Sequence, residues 1–116
     1  MKPVSKIIIY SENIKAGVLE RIAQKNKIYF QFTYDTVFLE SKKTEIHTTL
    51  PKKQKKFISE KLFPAFENLL FEGVNREIHC RRYKIDINDQ MTMLATFGED
   101  TIGSLTFKAA TDQNEK

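Results

Sequence analysis

The sequence is poor in the residues that break, cross-link or anchor a chain. Only 4 glycines and 3 prolines occur among its 116 residues. The glycines, Gly17, Gly73, Gly98 and Gly103, are scattered, so there is no glycine-rich loop through which backbone amides could approach phosphate groups. A single cysteine, Cys80, excludes an intrachain disulfide and a cysteine metal cluster, and fits a reducing compartment such as the cytoplasm. The longest apolar run near the N-terminus, Ile7-Ile8-Ile9-Tyr10, is far shorter than a signal-peptide core or a membrane span. The HRD-type base and DFG-type metal ligand of a kinase are missing. These absences leave no phosphate-binding, kinase, cysteine-metal or membrane-spanning motif to read, and no cofactor is expected.

What is present is the composition of a folded domain: 41% hydrophobic and 29% charged residues, in a length that suits one domain over residues 1–116. The net charge of +4 is largely local. Lys52, Lys53, Lys55 and Lys56 crowd into the stretch PKKQKKF. A solvated loop is the plainer reading of that cluster; contact with an acidic protein surface or a nucleic-acid backbone is the alternative.

The first half reads as strands. Ile7 to Tyr10 is β-branched and aromatic, Gly17 to Ile22 lies between segments of turn composition, and Lys27 to Thr33 alternates with Ile28, Phe30 and Phe32 on one face. Val37 to Leu39 and Glu45 to Leu50 are further extended candidates, the second ended by Pro51. From Ser59 the pattern turns helical through Leu62, Phe66, Leu69 and Leu70, with Gly73 as the stop and Pro64 moving the true start toward Phe63. A second helix spans Val74 to Tyr83, with Val74 and Ile78 on its inner side. A third runs from an Asn88-Asp89 cap through Met91, Met93, Leu94 and Phe97 to Gly98. Gly103 to Phe107 alternates as a closing strand, and Ala109 to Lys116 reads as a flexible, solvated tail. The expected fold is α+β: a small antiparallel sheet, made of an N-terminal meander plus a C-terminal strand, covered by about three helices.

Isolated chemistry is weak. His79 and Cys80 are neighbours and point about 100° apart on a helix, which does not make a nucleophile and base pair. His47 stands alone in an expected strand. Glu67, Glu72, Glu99 and Asp100 have no spacing that assigns acid and base roles. Tyr29, Phe30 and Phe32 fit core packing better than a base-stacking platform, because the glycine and arginine pattern of such motifs is missing.

The second half carries a family pattern. The run Leu62-Phe63-Pro64-Ala65-Phe66-Glu67-Asn68-Leu69-Leu70-Phe71-Glu72-Gly73, then Arg76, then Ile85 to Asp89, then Gly98-Glu99-Asp100-Thr101-Ile102-Gly103-Ser104-Leu105, resembles the N-terminal subdomain of HipA-type toxin kinases. Thr49-Leu50-Pro51 is similar to the strand end that precedes the helix in that family. One departure is Phe71, which stands where the family has proline. In HipA-type proteins a kinase core follows this subdomain, and a separately encoded copy resembles the HipS-type subunits of tripartite HipBST toxin–antitoxin systems.

That resemblance implies an antitoxin or regulatory subunit which binds and inhibits a HipT-like serine/threonine kinase, with a HipB-like DNA-binding protein in a ternary complex. It also places the partner-binding residues around the motif: Phe63, Phe66, Glu67, Phe71 and Glu72. Phe66 is the expected core member, and Phe63 and Phe71 are the aromatics expected to meet the kinase. A basic nucleic-acid-binding module and an accessory structural subunit without inhibitory activity are the alternatives.

Overall fold

A computed structural model describes residues 4–70, 73–86, 88–98 and 105–110. Its frame is an antiparallel meander. Strand β1 (Lys6–Ser11) turns into β2 (Ile14–Gln24), which turns into β3 (Lys27–Tyr34). The first turn is two residues long, with Glu12 and Asn13 both left-handed at φ 51° and 71°, the backbone that matches the twist of a tight hairpin. Ile9 pairs with Gly17 and Tyr10 with Lys15, so Ala16 is an extra residue in β2 and both Ala16 and Gly17 face inward. Gly17 is required there: a Cβ would sit 2.4 Å from the Thr33 carbonyl oxygen and 2.8 Å from the Phe32 ring.

Helix α1 (Thr36–Glu40) follows at once, where Val37 to Leu39 was expected to be extended. The Asp35 carboxylate accepts from the Val37 amide at 3.2 Å and starts the turn. Phe38 then stacks on Tyr34, with ring centroids 5.8 Å apart. The segment from Glu45 to Leu50, also expected to be a strand, contains none. Tyr34 holds it as a turn instead: the buried hydroxyl donates to the Leu50 carbonyl and accepts from the Ile46 amide at 3.2 Å. Strand β4 (Lys56–Ser59) lies further on and pairs with β3 from Phe30↔Ser59 to Thr33↔Lys56. Phe57 brings an aromatic to the core face, 6.4 Å from Phe32.

Helix α2 (Pro64–Glu67) is a single turn, with Pro64 at its first position and Phe63 as the residue before it. It stops well short of Gly73, which instead opens α3 (Gly73–Tyr83). Helix α3 ends in a Schellman motif, in which the Ile85 amide reaches the Cys80 carbonyl at 2.8 Å across a left-handed Lys84 at φ 58°. Among the side chains described in α3, Cys80 is buried at 3% exposure and Ile78, expected inward, is 46% exposed; the Val74 side chain lies outside the described ones. Helix α4 (Gln90–Phe97) is punctuated as the sequence indicates. Asp89 accepts from the Thr92 amide at 3.1 Å. The Gly98 amide closes on the Leu94 carbonyl at 2.8 Å. A Cβ at Gly98 would lie 2.5 Å from the Phe107 ring, so the helix end touches the next strand.

Strand β5 (Leu105–Ala109) completes the sheet beside β1, giving the order β4-β3-β2-β1-β5. The Ala110 amide donates to the Lys6 carbonyl at 2.9 Å. Ala109, assigned from sequence to the tail, belongs to β5; residues 111–116 lie outside the described residues. The α+β class is as expected. The core occupies one side of the sheet, where Ile7, Ile9, Leu19, Phe32, Tyr34 and Phe107 meet Phe66, Met91 and Leu94.

Candidate functional site

The residues named from the family pattern do not form one exposed surface. Phe66 is fully buried, centred against Phe32 at 5.6 Å and Phe107 at 5.9 Å. Phe63 is also buried, at 7% exposure, with its ring edge-on to Phe66 at 6.2 Å. Its expected outward role is therefore corrected: as the residue that leads into Pro64 it has extended backbone, and its side chain closes the end of the core. Glu67 is exposed and accepts from the Gln90 side-chain Nε2 at 2.9 Å, which ties α2 to α4. Phe71 and Glu72 lie outside the described residues.

The lysine cluster divides. Lys52 turns inward over its own loop: its ammonium donates to the Ser41 carbonyl at 2.9 Å and the Lys43 carbonyl at 2.6 Å, and sits 5.1 Å from the Phe38 ring centre. Those contacts occupy the cation that a phosphate or carboxylate would need. Lys55 donates to the Thr36 hydroxyl at 3.0 Å. Lys53 is exposed in the turn after Pro51, and Lys56 is exposed on β4. Of the four, only Lys52 is turned inward; Lys53, Lys55 and Lys56 remain exposed.

A different surface stands out. The helices cover one face of the sheet, and register fixes what the other face presents. One row runs Lys108, Ile8, Val18, Thr33 and Lys56 across all five strands. The next holds Lys6, Glu20, Gln31 and Ile58, and a third pairs Ile22 with Tyr29. Ile58 is 64% exposed. With Ile22, Gln24, Tyr29 and Gln31 it lines a shallow hollow of about 290 Å³. Glu20 accepts from the Gln31 side-chain Nε2 at 3.4 Å, and the Lys108 ammonium sits 5.5 Å from the Tyr10 ring centre. This face was not recognised from sequence. A signal existed in Ile7-Ile8-Ile9, which does not alternate and so places an apolar residue on each side of β1.

Other chemistry is structural in character. His47 lies in a turn, not a strand, and its Nδ1 accepts from the Thr49 amide at 3.1 Å. His79 packs against Phe97 at 5.7 Å, and Cys80 is buried. Among the described residues no group of three or more His, Cys, Asp or Glu could hold a metal ion, and no helix there is long and apolar enough to cross a membrane. Among the described residues, Glu12 and Tyr34 are perturbed. The hydrogen bond and charge of Lys43, 2.6 Å away, hold the Glu12 carboxyl below its usual value; burial pushes the Tyr34 hydroxyl up.

No curated protein sequence matches the chain. The family model of the HipA N-terminal domain matches residues 7–108, from β1 into β5, so that the meander from Ile7 on, the loop that Tyr34 pins and every described helix fall within it. The chain belongs to the HipA N-terminal domain family.

Proposed function

We propose that the chain is a non-catalytic antitoxin or regulatory subunit that binds a HipT-like serine/threonine kinase and restrains it. The match to the HipA N-terminal domain over residues 7–108 carries this reading. By resemblance, that domain lies next to a kinase core in HipA-type toxins, so contact with a kinase lobe is the task it suits. A HipS-type identity, with a HipB-like DNA-binding protein as a third member, is part of the same proposal. Restraint acts by occlusion: a rigid domain held against the nucleotide-binding lobe hinders the closure that phosphoryl transfer requires.

The test is coexpression with a HipT-like kinase from the same organism. Restored growth, copurification of the two chains and suppressed phosphorylation are expected. Persistent toxicity with no complex sinks the proposal. A stable complex with undiminished kinase activity leaves an accessory structural subunit. Against the nucleic-acid alternative, Lys52 is turned inward, which removes one of the four lysines from it.

A further inference from the structure

We infer that the open face of the sheet is the docking surface, and that it takes a kinase patch with an apolar centre and carboxylates on its two sides. The inference rests on the proposed function and adds the surface to it. An antiparallel sheet with one solvated face ordinarily turns polar residues outward. Here the outward positions include Ile8, Val18, Ile22, Tyr29 and Ile58, and the hollow between Ile22, Tyr29 and Ile58 has room for a partner side chain. Apolar area grouped in this way marks a contact surface.

Charge selects the occupant. Lys108 and Lys56 close the two ends of the row whose centre is Ile8 and Val18. Four inter-strand spacings separate them by about 19 Å. In the adjoining row Lys6 faces Glu20 across β1 and β2, so the two lysines at the row ends carry the selection. A second copy of this chain would oppose lysine with lysine, whereas a heterologous surface with acidic flanks would meet opposite charge on both sides. The strands are also preorganised, because β2 and β3 are paired along their length and backed by the core, so little ordering accompanies docking.

The experiment measures binding of the full chain to a HipT-like kinase for the wild type, Ile58→Glu, the pair Lys56→Glu with Lys108→Glu, and two comparison variants. Ile58, Lys56 and Lys108 are all exposed, so folding is expected to persist; thermal unfolding checks it, and the lysine pair keeps the test alive should Ile58→Glu unfold. Ile58→Glu should weaken binding by about tenfold or more, and the lysine pair by several-fold, with less salt dependence than the wild type. Ile78→Asp, on exposed α3, should bind as wild type. Wild-type binding that survives every open-face change, or is lost instead on Phe71→Ala, overturns the inference and leaves the proposed function standing. A wild type that does not bind the kinase overturns both. A wild type that dimerises alone, and becomes monomeric on Ile58→Glu, assigns the face to a second copy and also overturns the inference.

Discussion

The same strands give the two faces of this sheet opposite fates. On β3, Phe32 and Tyr34 point into an aromatic cluster with Phe38, Phe57 and Phe66, while Tyr29 and Gln31 point the other way, onto a face that no described helix covers. On β1, Ile7 and Ile9 have no exposure, and Ile8 between them is only partly covered. Residue type does not separate the faces, since both carry isoleucine and aromatics. What separates them is that every described helix with a buried residue contributes it to one side. An apolar group on that side is part of the folding free energy; on the other side it remains available for association.

The sharpest way to break the comparison is to empty the covered face. Phe66→Ala removes the ring at the centre of the cluster and should cost about 3–5 kcal/mol, read from the denaturant midpoint. Gly98→Ala should cost about 1–3 kcal/mol, because the new methyl meets the Phe107 ring and the Leu94 carbonyl oxygen. The same measurement, with wild-type-like cost, would show that the helix end yields more easily than the geometry indicates.

Tyr34→Phe should cost about 1–3 kcal/mol by leaving the Leu50 carbonyl and Ile46 amide without that hydroxyl. It also carries a pH signature. Burial raises the folded-state pKa of Tyr34 above its unfolded value. The corresponding stability is fully present below the unfolded value and is lost as pH rises through the folded one. Alkaline unfolding should therefore be shallower in Tyr34→Phe than in the wild type, as followed by melting temperature against pH. Smaller still, Lys52→Ala should cost about 1 kcal/mol through its two carbonyl contacts. Lys53→Ala, in the same run, should stay within about 0.5 kcal/mol. Ile58→Ser on the open face should likewise change stability by no more than about 0.5 kcal/mol; a large loss there would mean that the face is already part of the folded core.

Legibility in the sequence followed how local each cause was. Asp89 and Gly98 bracket α4 by contacts within four residues, and Pro64 sets the start of α2 by its own ring, so these were readable. The meander was readable because its turns and alternation are local too. Val37 to Leu39 was misread because three apolar residues fit a strand or a helical turn, and the Asp35 cap decides between them. Glu45 to Leu50 was misread for a distant reason: Tyr34, more than ten residues earlier, pins it. Strand β4 was hidden among lysines because its pairing with β3 comes from register, not composition. At the candidate site, Phe66 was legible as core from its place in the stripe. The burial of Phe63 and the open face were not, since both depend on which side of the sheet the helices occupy.

The hydrogen bond from Ala110 to the Lys6 carbonyl places the entry and exit of the fold side by side on neighbouring strands. A unit closed in this way is modular: a host chain can take it up or release it at one point without stretching across the sheet. The same adjacency allows circular permutation, with a short linker leading from Ala110 back to Lys6 and the chain reopened in the turn after Pro51, where Lys53 is exposed.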